Sequence, residues 1–144
     1  MKPSVFHSKT MIVLASVVIV LCSLSTSEAQ KKVPAEVVAK WNELVMPYHK
    51  LCLNETHDKP EPIIHMLADY TIPDEKSIHC YWKCFHEHAK FLSNGKFDID
   101  VMLKLVYSLP RELAEKCIVQ GEAESDICQK SYTLVQCIVM AEVV

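Results

Sequence analysis

The sequence predicts an all-α fold of about six helices, and three observations support this prediction. Apolar residues recur at spacings of three and four along most of the chain, which is the period of an amphipathic helix, and no stretch alternates convincingly as a strand. Only Gly95 and Gly121 are glycines, which fits helices better than turn-rich, disulfide-bridged β folds. Seven cysteines in 144 residues add the expectation that disulfides join the helices.

The first 29 residues have the layout of a secretory signal peptide. Two lysines precede a 12-residue uncharged run, Met11 to Cys22, and the small-x-small triplet Ser27-Glu28-Ala29 follows it. A membrane span needs roughly 20 apolar residues, so this run is too short to be an anchor. We therefore expect a signal peptide at residues 1–29 and a secreted, extracellular domain at residues 30–144.

Cleavage after Ala29 would change the composition in two ways that bear on function. It would remove Cys22 and leave six cysteines, and an even number in a short secreted chain indicates three disulfides. It would also change the formal net charge from −3 to −4, because two lysines and one glutamate would be lost. A mildly acidic secreted domain of this kind is not expected to bind nucleic acid.

Boundary signals place the first three helices. The first is predicted over residues 34–53, and the second is a shorter segment that begins at Pro60. The third is predicted over residues 73–93. Asn94-Gly95 is expected to stop it there, because glycine adopts the left-handed conformation that ends many helices.

The last three helices follow in the C-terminal half. The fourth is predicted over residues 98–108, with an acidic N-cap. Pro110 suits a first-turn position, so a fifth helix should follow it. Ser125 or Asp126 would cap a sixth helix, which continues through Cys137.

The stretch HCYWKCFHEHAKF, residues 79–91, raises the question of a metal site. It lacks the zinc-protease pattern HExxH, and His86 and His88 would point about 200° apart on a helix, so they could not hold one ion. In an oxidising compartment the cysteines are better explained as disulfides. We therefore predict no metal and no cofactor. Since no catalytic motif is found, we also predict no enzymatic activity.

Helix geometry excludes two disulfides and leaves the other pairings open. Cys80 and Cys84 lie one helical turn apart, with Cβ atoms separated by roughly 5–6 Å, whereas a disulfide needs about 3.5–4.5 Å. Cys128 and Cys137 lie nine residues apart, on opposite sides of the sixth helix. The third helix is therefore expected to be joined to two different segments.

The complete cysteine pattern resembles that of the insect odorant-binding proteins. The six cysteines are separated by 27, 3, 32, 10 and 8 residues, and the local sequences HCYWKCF and SLPRELAEKC are similar to the third and fifth helices of that family. The resemblance implies an internal hydrophobic cavity and the bridges Cys52–Cys84, Cys80–Cys128 and Cys117–Cys137. It also implies a secreted carrier of small hydrophobic molecules such as odorants or pheromones. Release near a membrane or receptor, and a homodimer, stay open.

We expect the fourth helix, the sixth helix and the tail to form an apolar ligand-binding wall. The expected wall residues are Met102, Leu105, Leu109, Tyr132, Val135, Ile138, Val143 and Val144. Methionine and aliphatic side chains repack easily around ligands of varied shape, and the Tyr132 hydroxyl would orient an alcohol, aldehyde or ester. The alternative is that the same stripe is ordinary core.

Two further features bear on regulation and modification. Histidines titrate near physiological pH and would give pH-dependent release, although most are expected on the solvated surface. The mature chain has six: His49, His57, His65, His79, His86 and His88. Asn54 begins the sequence Asn-Glu-Thr, a glycosylation acceptor in a secreted chain.

The alternative function is a saposin-like helical module that interacts with lipid or membranes. Saposin-like proteins resemble this chain in size and number of cysteines but differ in cysteine spacing. Stoichiometric binding of small ligands by a soluble protein would favour the carrier, and vesicle binding or lysis would favour the saposin-like alternative.

Overall fold

The computed structural model describes residues 33–57, 66, 67, 69 and 71–141. Over these residues it contains five helices: α1 (Ala35–Thr56), α2 (Lys76–His88), α3 (Ile99–Leu105), α4 (Arg111–Glu122) and α5 (Ile127–Ala141). One small antiparallel hairpin, β1 (Leu92–Ser93) with β2 (Lys96–Phe97), lies between α2 and α3.

The predicted helical fold class is confirmed: five helices have bounds in the described part of the chain, and Met66, Leu67 and Asp69, from the segment of the predicted second helix, are also helical. Most of the predicted second helix lies outside the described residues. Met66 and Leu67 from that segment are described, and both are buried. The predicted signal peptide and the tail residues Val143 and Val144 also lie outside the described residues.

The prediction that a helix continues to Ser93 was wrong. Helix α2 ends at His88, and the chain then forms the hairpin, in which Leu92 pairs with Phe97. Asn94 and Gly95 have φ values of 52° and 73°, so they form the two-residue loop that joins paired strands. The left-handed conformation expected of this dipeptide is present, but it closes a hairpin and does not end a helix.

Helix α2 ends earlier because Lys90 takes the left-handed position that glycine usually occupies. Its φ is 63°. The Phe91 N–H donates to the His86 carbonyl at 2.8 Å, and the Lys90 N–H donates to the Glu87 carbonyl at 3.2 Å. These two bonds satisfy the last carbonyl groups of the helix in the manner of a Schellman motif. A lysine at this position gives no sequence signal, which is why the prediction missed it.

The predicted start signals of the last three helices agree with the structure. Asp98 caps α3, since its Oδ1 accepts hydrogen bonds from the N–H groups of Asp100 and Val101, both at 3.1 Å. Pro110 directly precedes α4. Asp126, one of the two expected caps, accepts from the Gln129 N–H at 2.9 Å.

Three disulfides join the helices in the pairs that the family resemblance implied. Cys52–Cys84 joins α1 to α2, Cys80–Cys128 joins α2 to α5, and Cys117–Cys137 joins α4 to α5. Helix α2 is therefore bonded to two different segments, and its Ile78 and Tyr81 side chains are fully buried. Each bridge is expected to stabilise the fold by about 2–4 kcal/mol.

A partly buried lysine holds the hairpin against α4 and α5. The Lys130 Nζ donates to the Gly95 carbonyl at 3.0 Å and to Glu122 Oε2 at 2.8 Å. Glu122 Oε1 in turn accepts from the Phe97 N–H at 3.3 Å. The cation and the carboxylate thus satisfy backbone groups that the two short strands leave without partners.

Candidate ligand-binding site

A pocket with an apolar lining lies among α1, α2, α3 and α5, and we call it the apolar pocket. Its volume is about 60 Å³. The described residues that line it are Trp41, Leu44, Val45, Leu67, Trp82, Phe85, His86, Phe91, Met102, Val106, Leu134, Val135, Ile138 and Val139. Among these, His86 is the one ionisable side chain, so the lining suits a hydrophobic guest.

The apolar pocket is small for a ligand site. Its volume of about 60 Å³ is enough for a few water-sized groups, whereas ligand pockets typically measure about 300–1,000 Å³. A ligand with several carbon atoms must therefore displace lining side chains as it enters. Met102, which is unbranched and has three rotatable side-chain bonds, is well suited to such a rearrangement.

Three of the residues predicted to bind ligand meet at this pocket, and Leu105, Leu109 and Tyr132 lie elsewhere. Met102, Val135 and Ile138 line it. Leu105 is 44% exposed, because α3 presents it to the outside, and Leu109 is buried away from the pocket. The ligand-binding roles of these residues stay predictions, and the predicted wall residues Val143 and Val144 lie outside the described part.

Tyr132 is buried, but its hydroxyl is engaged outside the pocket. The ring stacks on His79 with centroids 4.0 Å apart, and the Oη donates to the Ile72 carbonyl at 3.3 Å. Gln136 Nε2 donates to the same Oη at 3.3 Å. These contacts give Tyr132 a structural position between α2 and α5.

Sequence reasoning missed the contribution of α1 and α2 to the pocket. Trp41, Leu44 and Val45 lie on the helix predicted over residues 34–53, and an apolar stripe on a helix has the same spacing whether it fills a core or lines a pocket. Trp82 and His86 lie in the stretch of residues 79–91, which was interpreted only in terms of metal ligands and disulfides. Their spacing of four residues on one helix was the signal that would have placed them together.

His86 differs from the expected solvated histidine. It is 2% exposed, and its ring lies beside those of Phe91 and Phe97, with centroids 5.9 and 5.7 Å away. Burial lowers the pKa of His86 to about 3. The imidazole is therefore neutral between pH 5 and pH 7, so His86 would not supply the pH-dependent release considered for the histidines.

The other described histidines divide between surface and interior. His57 and His88 are exposed as expected, whereas His49 and His79 are buried. Burial lowers the pKa of His49, whose Nδ1 lies 2.9 Å from the Tyr81 hydroxyl. The expectation of mostly solvated histidines was therefore wrong for the described part of the chain, and His65 lies outside it.

A second depression opens on the surface between α1 and the end of α3, and we call it the outer groove. It has a volume of about 510 Å³ and is lined by Lys40, Glu43, Leu44, Leu103, Lys104, Leu105, Val106, Tyr107 and Ser108. Leu44 and Val106 line both depressions, so these two side chains form the partition between them.

The structure offers little support for metal binding. Among the described residues, one group has suitable ligand atoms within 4.8 Å of one another, namely Glu55, Cys84 and His88. Because Cys84 is bonded to Cys52, its sulfur is not available as a thiolate ligand. The group is thereby reduced to the exposed pair of Glu55 and His88, whose Oε1 and Nε2 are 3.4 Å apart.

Two surface features complete the description. Asn54, the predicted glycosylation residue, is exposed in the last turns of α1, and its modification stays a prediction. Within the described residues, no helix has the length and apolar character that a membrane span requires.

Comparison with known proteins finds odorant-binding proteins among the relatives and solved structures. General odorant-binding protein 84a of Drosophila melanogaster is 29% identical over 70 residues, which is 46% of this chain and 40% of that protein. Odorant binding protein 5 of Apis mellifera has 25% identity and a TM-score of 0.54 over 72% of this chain and 90% of its own. Odorant binding protein 4 of Chrysopa pallens has 24% identity and a TM-score of 0.53, with the same coverage.

The match to the family as a whole extends further than any of these. The PBP/GOBP family model matches residues 34–141, which include all six paired cysteines and every described residue that lines the apolar pocket. The cysteine spacing, the three bridges and the helical fold agree with this match. The chain belongs to the PBP/GOBP family, the pheromone- and general-odorant-binding proteins.

Proposed function

We propose that this protein is a secreted carrier that holds small hydrophobic molecules in the apolar pocket and moves them through extracellular aqueous fluid. The observation that carries this proposal is the lining of the pocket, which is built from aliphatic and aromatic side chains within a bridged helical frame. Membership of the PBP/GOBP family supports it, and the family match favours a carrier over a saposin-like module.

Affinity would come from removing the ligand and the pocket lining from water. A ligand of about 12 non-hydrogen atoms, bound at about −0.6 kcal/mol per atom, would have a binding free energy of about −7 kcal/mol. This corresponds to a Kd in the micromolar range, which allows both uptake and release. No chemical step is required of the protein, and we propose neither a cofactor nor a catalytic role.

Expansion of the pocket would take place on the side of α3. Helices α2 and α5 each carry two cysteines of the three bridges, whereas α3 carries none. Met102 and Val106, which form the wall on this side, can therefore move with fewer covalent constraints. A ligand would enter from the outer groove between Leu44 and Val106.

Displacement of a fluorescent probe tests the carrier function. The protein of residues 30–144 should take up one molecule of N-phenyl-1-naphthylamine per chain, and long-chain alcohols and esters should compete for the same site. If neither this probe nor any other apolar probe bound, the proposal would be wrong. Leakage of vesicles at the same protein concentration would instead support the saposin-like alternative.

The route of entry has its own matched pair of variants. Val106→Trp places a large ring in the partition and should slow uptake of the probe in stopped-flow measurements. Leu105→Trp places the same ring in the outer groove alone, so it should leave the uptake rate close to that of the unmodified protein. Equal rates for the two variants would rule out this route.

A further inference from the structure

Two side chains that line the apolar pocket carry buried nitrogen atoms without hydrogen-bond partners. These atoms are Trp82 Nε1 and His86 Nδ1. A buried polar group left without a partner costs about 1–3 kcal/mol, and most such groups in folded proteins are paired. Two such groups in one pocket therefore need an explanation, and a ligand that bonds to them would supply it.

The two rings are close to each other on the same face of α2. They are four residues apart, their centroids are 6.3 Å apart, and their planes are inclined by 35°. Each residue is 2% exposed. Phenylalanine rings lie beside them: the ring centroid of Phe85 is 5.7 Å from that of Trp82, and the ring centroid of Phe91 is 5.9 Å from that of His86. A polar group that reached these two nitrogens would find otherwise apolar surroundings.

The other tryptophan of the pocket provides a contrast. Trp41 also lines the pocket, but its Nε1 donates to the Tyr107 carbonyl at 3.0 Å. The other buried side-chain polar atoms without partners in the described part belong to His49 and Ser131, neither of which lines the pocket, whereas His79 Nε2 lies 2.9 Å from Asp74 Oδ1. Hydrogen-bonding capacity inside the pocket is thus concentrated at Trp82 and His86.

The chemistry of the two nitrogens limits what they can bind. An indole N–H can only donate, so the ligand must carry an acceptor atom. The His86 imidazole is neutral because burial lowers its pKa to about 3, and it therefore has one donor and one acceptor nitrogen. With no cation among the described residues of the lining, an ionised carboxylate would lose its hydration without gaining a counter-charge. The match is a neutral oxygen-containing group.

We propose that Trp82 and His86 form a polar subsite that binds the hydroxyl group of an alcohol, while the hydrocarbon body of the alcohol fills the apolar pocket. The hydroxyl oxygen accepts from Trp82 Nε1–H, and the hydroxyl proton is donated to His86 Nδ1. An aldehyde or ester can use only the first of these bonds. This inference rests on the proposed function, since it requires that the pocket take up a ligand at all.

Ligands of the same chain length test the subsite by competition with N-phenyl-1-naphthylamine. In the unmodified protein, 1-octanol should bind about tenfold more tightly than n-octane, as expected for hydrogen bonds that satisfy buried partners, and octanal should fall between them. His86→Phe and Trp82→Phe should reduce this ratio towards one. Val119→Ala, at a position of α4 that is 70% exposed and does not line the pocket, should leave the ratio unchanged.

Nuclear magnetic resonance of the unmodified protein gives a second test that does not depend on whether the variants fold. The chain has two tryptophans, so two indole N–H signals are expected. Addition of 1-octanol should move the Trp82 signal downfield, whereas the Trp41 signal, already bonded to a carbonyl, should move much less. Addition of n-octane should not produce the downfield shift.

The outcomes separate the two proposals. If neither 1-octanol nor n-octane binds, the carrier function itself is overturned. If both bind with equal affinity and the Trp82 signal does not respond, only the subsite is overturned. If octanal binds more tightly than 1-octanol, the nitrogens are both donors, and the assignment to a hydroxyl group is wrong.

Discussion

The walls of the apolar pocket formed by α2 and α3 differ in how they are held in place. Helix α2 has 13 residues and is bonded through Cys80 and Cys84 to two other helices. Helix α3 has seven residues and no cysteine, and it packs mainly against α4. The contrast teaches that the covalent constraints are concentrated in one wall, so that under the proposed carrier function the other wall would be the one to adjust to the size of a guest.

The noncovalent contacts of the α3 region are exposed or few. The Trp41 Nε1–H donates to the Tyr107 carbonyl at 3.0 Å, and the Tyr107 hydroxyl donates to Glu36 Oε1 at 2.9 Å. The ion pair of Arg111 with Asp100, 3.2 Å long, lies on the surface and contributes little to stability. These contacts position the segment without fixing it as a disulfide would.

The largest expected effect comes from removing a bridge of the fixed wall. The double variant Cys80→Ser/Cys128→Ser should lower the free energy of unfolding by about 2–5 kcal/mol, because the unfolded chain gains freedom over a 48-residue separation. Denaturant unfolding measures this change. Lys104→Ala, an exposed substitution on α3, is the control and should change the same quantity by less than about 0.5 kcal/mol. A loss below about 1 kcal/mol in the double variant would contradict the description of α2 as the fixed wall.

Hydrogen exchange compares the two walls directly. Backbone N–H groups in the centre of α2 should exchange at least about a hundredfold more slowly than those of α3, which corresponds to about 2.7 kcal/mol in opening free energy. Addition of a ligand such as 1-octanol should slow exchange in α3 more than in α2, since the ligand fills the space beside the adjustable wall. Equal protection of the two helices without ligand would remove the distinction between them.

Substitution of Gly121, in helix α4, tests how tightly α4 packs against α5, to which a disulfide joins it. A Cβ at Gly121 would lie 3.0 Å from the Lys130 carbonyl oxygen and 3.1 Å from Phe97 Cε2. Since α4 and α5 are joined by a disulfide, the backbone cannot easily move away, and Gly121→Ala should cost about 1–2 kcal/mol of stability. Gln120→Ala, at the exposed neighbouring position, should be neutral or slightly stabilising. If Gly121→Ala stabilised the protein, α4 and α5 would be able to move apart despite the disulfide between them.

The smallest expected effect is a dependence of stability on pH through the hairpin. The hydrogen bond from Lys130 lowers the pKa of Glu122 below its usual value of 4.5. Because the folded pKa is the lower one, this stabilisation is present above about pH 4.5 and is lost as the pH falls through the folded pKa.

The free energy of unfolding should therefore decrease less between pH 5 and pH 3 in Lys130→Met than in the unmodified protein, by about 1 kcal/mol or less. Thermal unfolding at several pH values measures the slope, and Lys104→Met on α3 is the control. An unchanged slope in Lys130→Met would show that the pair does not couple the hairpin to pH.

The parts of the fold that sequence could predict are those with local or covalent signals. Asp98 caps its helix through its own neighbours, and the cysteine spacing identifies the bridges through the family resemblance. The hairpin could not be predicted, because Lys90 adopts the left-handed conformation without being glycine. The two short strands also have too few residues to show an alternating pattern.

The candidate site was only partly predictable for a related reason. Met102 and Leu105 have the same apolar character and the same helical period, yet one lines the pocket and the other is 44% exposed. Which of them faces inward depends on how α3 rests against its neighbours. The burial of His86 likewise depends on Phe91 and Phe97, which the chain brings back through the hairpin.

The placement of the two tryptophans has a practical consequence. Both indole rings of the chain lie at the wall of the apolar pocket. Their ultraviolet emission depends on polarity and on contact with quenching groups, so a guest that replaces water or repacks a neighbour will alter its intensity or wavelength. If the protein is the carrier proposed above, its intrinsic tryptophan fluorescence would therefore report whether the pocket is occupied, and loading could be followed without attaching a dye.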